Sequence, residues 1–152
     1  MKKIIFVSLI LLSGIYSCSK KISTSSATVS YVASSDGTIT MNAVGIGKNK
    51  DAAISDAEKN AFEVLFFRGL PNSEEKIALI GTNEVEIKQS NKVYFEKFYE
   101  EMRYKTFLMM SVPTTNITKI GGNKKIQMQI QINVSALRKD LEENNIIRKF
   151  GY

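Results

Sequence analysis

The sequence predicts a two-layer α+β domain, with an antiparallel sheet of about four strands and helices packed on one face. Three observations predict it. Between Ile126 and Val134, apolar residues alternate without a fault with Gln127, Gln129, Gln131 and Asn133. That is the period of a strand with one dry and one wet face. Ala53, Ala57, Ala61 and Leu65 recur every fourth position, the stripe of a helix lying on a flat partner. Just before them Ile39, Met41, Ala43, Gly45 and Gly47 share one strand face, which shrinks along its length from large side chains to none.

The elements follow in order. A first strand spans 27–34, and Ser34-Ser35-Asp36-Gly37 turns it into a second, 38–47, Asp-Gly being a strong hairpin signal. A helix starts near Asn49 or Asp51, runs to about Arg68 and stops at Gly69, with Pro71 beyond it. Small residues on both partners let helix and strand backbones approach closely, which accounts for Gly45 and Gly47. The stretch Gly45-Ile46-Gly47-Lys48 lacks both the Gly-Lys-Ser/Thr of a phosphate loop and the third glycine of a dinucleotide turn. No nucleotide site is expected there.

Residues 69–89 are the least regular, with a short apolar segment from Ile77 to Ile80 and then a loop or weak strand over 81–89. Ser90 is the expected N-cap of a short helix, 91–101, which carries Tyr94, Phe95, Phe98 and Tyr99. Phe95 and Phe98 are expected to join Phe62, Phe66 and Phe67 in one aromatic cluster. Tyr94 and Tyr99, whose hydroxyls tolerate water, are the expected exposed members and a candidate partner surface. Residues 103–118 read as a long strand, bent or edge-placed at Pro113, which cannot donate to a ladder. Gly121-Gly122-Asn123 turns the chain into the alternating strand, whose wet face of Gln127, Gln129 and Gln131 is a second candidate surface. Ser135 is the expected cap of a closing helix, 136–145, packing through Leu137 and Leu141. The domain is thus expected to span 28–147, with 148–152 as a tail.

Composition narrows the chemistry. The 152 residues suffice for one ordinary domain. Histidine is absent and cysteine occurs once, so imidazole acid–base catalysis, a Ser-His-Asp triad, His-ligated zinc and an internal disulfide are all excluded. No cofactor or metal is expected. A hydrolase using carboxylates alone is the alternative class, since Glu74-Glu75, Glu100-Glu101 and Glu142-Glu143 are adjacent pairs. Neighbours on a helix point about 100° apart, however, and converge poorly on one bond. The domain is therefore expected not to be an enzyme. Nucleic acid is not expected as a partner either, because the net charge of +6 includes only four arginines.

The first eighteen residues carry an address. Met1-Lys2-Lys3 is basic, and Ile4 to Leu12 is apolar apart from Ser8. That run is about half the ~20 residues that span a bilayer, so it reads as the core of an export signal over 1–17. Ile15-Tyr16-Ser17-Cys18 resembles the lipobox of bacterial lipoproteins, with an aliphatic residue, a small residue and then the cysteine that is acylated after cleavage. The resemblance implies a lipidated Cys18, a polar tether over 18–27 and attachment to a membrane. Cleavage would remove Lys2 and Lys3 and lower the net charge from +6 to +4. Ser19 stands where an aspartate would hold a lipoprotein at the inner membrane, which favours the outer membrane.

The domain has a resemblance of its own. Ala43-Val44-Gly45-Ile46-Gly47, followed by Ala53, Ala57, Asn60 and Ala61, resembles the small-residue motif of the N-terminal domain of flagellar assembly protein T and of related twenty-kilodalton bacterial lipoproteins. Gln131-Ile132-Asn133-Val134-Ser135 and the closing helix are similar too. The resemblance implies a non-catalytic envelope module that binds a protein or cell-wall partner.

Overall fold

The structure, a computed structural model, describes residues 29–149. Strand β1 (Val29–Ser35) pairs antiparallel with β2 (Thr38–Gly47). Asp36 and Gly37 make the turn between them at φ of 48° and 72°, the left-handed pair that a tight hairpin requires. β2 pairs along its whole length with β5 (Asn123–Asn133), from Thr38 opposite Asn133 to Gly47 opposite Lys124. On the other side of β5 lie β3 (Leu108–Pro113) and, further along, β4 (Thr118–Ile120). The result is a five-stranded antiparallel sheet ordered β1-β2-β5-β3, with β4 beside β5. It has one strand more than expected, because the edge along β5 is broken in two.

Register decides the two faces. Ile39, Met41 and Ala43 on β2, with Ile126, Met128, Ile130 and Ile132 on β5, are all buried. Helix α1 (Lys50–Phe67) lies across them. Asn49 caps it, its side chain accepting from the Ala52 N–H at 2.8 Å. Ala53, Ala57, Ala61 and Leu65 have no exposed surface, so the alanine stripe is the contact. A Cβ added to Gly45 would fall on the Ala53 carbonyl oxygen and the Ala57 amide nitrogen, and 2.9 Å from the Ala57 Cβ. The glycines are there because helix backbone rests on strand backbone. Helices α2 (Glu84–Ser90), α3 (Lys92–Tyr99) and α4 (Val134–Glu143) complete the helical layer. Among the described residues no helix is long and apolar enough to cross a membrane.

Four local expectations are corrected. Residues 81–89 form neither loop nor strand; most of them are α2, held by Lys88, which bridges Glu84 on its own helix and Glu63 on α1. The segment 103–118 is not one long strand. It opens with a 3-10 turn, Arg103–Phe107, after Met102 adopts φ 58°, and that turn drives Tyr104 and Phe107 into the core. The ladder then stops at Pro113 and resumes at Thr118. The closing helix is capped by Asn133, whose side chain accepts from the Ala136 N–H at 2.9 Å, and not by Ser135. Ser90 ends α2, and Asn91 precedes α3 without a side-chain cap.

Candidate functional site

Cys18, the export segment 1–17 and the tether 18–27 lie outside the described residues. The remaining candidates are the aromatic helix and the amide-bearing sheet face.

The aromatic cluster forms as expected. Phe98 stands at its centre, its ring 5.2 Å from those of Phe62 and Phe66 and 6.0 Å from that of Phe107. Phe95 and Phe67 extend it at 6.0 Å. The expectation that Tyr94 and Tyr99 are its exposed members is corrected. Tyr94 is only 8% exposed; its hydroxyl donates to Asp140 Oδ2 on α4 at 2.8 Å, and Arg103 pairs with the other Asp140 oxygen. Tyr99 is half-buried, and its hydroxyl is enclosed without a hydrogen bond of its own. Tyr94 is drawn inward because the Asp140 carboxylate on α4 accepts from its hydroxyl.

Two further buried networks join elements far apart in sequence. Glu58 on α1, 5% exposed, accepts from the Ser111 hydroxyl at 2.7 Å and the Tyr104 hydroxyl at 3.2 Å, and Ser55 lies 3.1 Å from Tyr104. This ties β3 and the 3-10 turn to α1. Enclosed as it is, the carboxylate holds Ser111 in place and presents no face to a substrate. Glu63 accepts from Lys88 Nζ at 2.7 and 2.8 Å, and the same ammonium lies 5.2 Å from the Phe67 ring and 5.3 Å from the Tyr99 ring. Burial raises the Glu63 pKa, and Lys88 opposes that rise. None of these networks has a local signal in the sequence, since the partners stand 25 to 53 positions apart.

Burial raises the hydroxyl pKa of Tyr94, Tyr99 and Tyr104, and the adjacent Asp140, Glu63 and Glu58 carboxylates add to the effect. The folded chain therefore keeps these protons to higher pH than the unfolded chain does. Stability from this source is complete below pH ~10, the ordinary tyrosine value. Above it, stability falls by up to ~1.4 kcal/mol per pH unit for each such tyrosine. An alkaline titration followed by phenolate absorbance and circular dichroism should show three of the six tyrosines ionising only as the chain unfolds. Ionisation of all six in the folded chain near the ordinary value would contradict this account.

The sheet face turned away from α1 is of another kind. Gln127, Gln129 and Gln131 are half-exposed on it. Gln131 stands opposite Thr40 and Met110, Gln129 opposite Asn42 and Val112, and Gln127 opposite Val44. Gln131 Nε2 donates to Thr38 Oγ1 at 3.4 Å, and Asn42 Oδ1 is enclosed with no partner. None of the five strands contains an aspartate or glutamate. The face thus offers amide and hydroxyl groups between apolar ones, a chemistry suited to neutral polar surfaces such as peptide or glycan. Of the glutamate pairs, Glu74 and Glu75 line a groove together and Glu75 pairs with Arg138 there, Glu143 pairs with Lys139, and Glu100 and Glu101 face solvent. Comparison with protein-family models, curated proteins and solved structures returns no match for the chain.

Proposed function

We propose that this chain is a bacterial envelope lipoprotein, anchored by lipid on Cys18, whose α+β domain binds a protein or cell-wall partner and performs no catalysis. The observation that carries the reading is Ile15-Tyr16-Ser17-Cys18, which holds the sole cysteine of the chain behind a basic start and an apolar run. Each buried lipid CH₂ contributes about 0.8 kcal/mol; one acyl chain holds a protein only marginally, and two or more hold it stably. Ser19 favours the outer membrane as the destination. The amide-bearing face around Gln129 is the candidate contact surface, and the likeness to small envelope lipoproteins supports a binding role.

The test is made in cells. Cys18→Ala should yield a precursor that takes up no radiolabelled palmitate and no longer partitions with membranes as the mature protein does. Membrane partition unchanged by that substitution would overturn the anchor.

A further inference from the structure

The lysines of the sheet are not spread evenly. Gly47 stands opposite Lys124 and Ile46 opposite Lys125, while Lys119 and Thr118 pair with the same two lysines from β4. Lys48 and Lys50 follow directly from β2 into α1, and Lys50 lines a groove with residues 113–117 and Ile126. Five lysines therefore gather at one end of the sheet, and none of them has an ion-pair partner among the described residues. Two carboxylates stand near them, the exposed Asp51 and the half-exposed Asp56, which accepts from the Ile46 N–H at 2.9 Å. The exposed Glu74, Glu86, Glu96, Glu100 and Glu101 belong to segments that follow the far end of α1.

The same end presents apolar side chains to solvent. Ile120 is 48% exposed at the tip of the β4–β5 turn, with Ile46 and Ile117 nearly as open. Gly121 and Gly122 have open space where a side chain would be. Basic residues around an exposed aliphatic tip are the chemistry of a surface that enters an anionic lipid interface, with lysines at the headgroups and the aliphatic group at the acyl boundary.

The chain's entry point lies on this side too. β1 begins with Val29 opposite Ala43, in the lysine-bearing half of the sheet, and runs toward the opposite end. Ten residues, 19–28, lie between Cys18 and Val29, and the eleven steps between them reach at most ~40 Å. A chain of that length, moored at Cys18, is short enough to let the lysine end meet the headgroups, whose fields extend over ~8 Å.

We infer that the Lys119-Ile120-Gly121-Gly122-Asn123-Lys124-Lys125 turn, with Lys48 and Lys50, docks on anionic phospholipid. Docking would orient the domain with its hairpin Asp36-Gly37 end outward. This inference rests on tethering at Cys18, and its test supplies that tether chemically, so that a failure to dock and a failure of cells to acylate are separate results.

The full chain is coupled through its single thiol to maleimide-bearing phosphatidylethanolamine. The vesicles are either phosphatidylcholine alone or one part phosphatidylglycerol to three of phosphatidylcholine. The chain has no tryptophan, so Ile120→Trp gives a unique reporter, and Val85→Trp, at a position 77% exposed on α2, gives the control. Brominated acyl chains should quench the Ile120→Trp emission on the anionic vesicles and leave Val85→Trp bright. Adding Lys119→Gln, Lys124→Gln and Lys125→Gln should weaken docking about 100-fold, at roughly fivefold per lysine, and high salt should do the same. Equal quenching at the two positions, quenching that survives the triple substitution, or the same quenching without phosphatidylglycerol would overturn the inference.

Discussion

Gly45→Val should destabilise the domain by at least ~3 kcal/mol, at or beyond the upper end for overpacked cores. The magnitude follows from what a side chain would strike. At most core positions an added methyl meets the end of another side chain, which can change rotamer. At Gly45 it meets the Ala53 carbonyl oxygen and the Ala57 amide nitrogen, both part of the α1 backbone. Neither can move without lifting the helix from β2, and the fully buried Ala53, Ala57 and Ala61 would lift with it. Urea denaturation is the measurement, with a melting temperature lowered by more than ~10 °C as its thermal counterpart. A valine variant as stable as the parent would mean that α1 does not rest on β2.

Phe98→Ala comes next in size. The ring has no exposed surface and meets those of Phe62, Phe66, Tyr94, Tyr99, Tyr104 and Phe107 at centroid distances of 5.0 to 6.2 Å. Truncation removes the transfer free energy of the ring and leaves a cavity among side chains from α1, α3 and the 3-10 turn, a loss of ~3–5 kcal/mol. Phe98→Leu should recover more than half of it, because volume-conserving changes are tolerated best. Denaturant midpoints that rank the two variants the other way would place the ring outside the core.

Much of this arrangement is legible in the residues themselves. The alanine stripe, the shrinking face of β2 and the unbroken alternation of β5 are local patterns whose period names both the element and its buried side. The close contact at Gly45 follows from two such patterns meeting. What the sequence conceals is held by distant partners. α2 is seven residues long with no apolar stripe to announce it, and it is fixed by Lys88 reaching Glu63 on α1. The 3-10 turn at Arg103–Phe107 lies inside a stretch that passes for a strand. It is set by the left-handed Met102 and by a Tyr104 hydroxyl seeking Glu58, 46 positions away. Tyr94 misleads for the same reason. Its hydroxyl suggests solvent, whereas Asp140 gives it a buried acceptor. On the candidate surface, the half-exposed glutamines were legible from alternation alone, and the lack of carboxylate on all five strands can be read only once the strands are known.

The two borders of the sheet share a property. β1 slips register between Tyr31 and Ala33, leaving Val32 out of step, and the opposite border is interrupted between Pro113 and Thr118. A border that is bent or broken makes a poor template for another strand. Copies crowded side by side on a two-dimensional surface would find no straight row of free amides to zip onto.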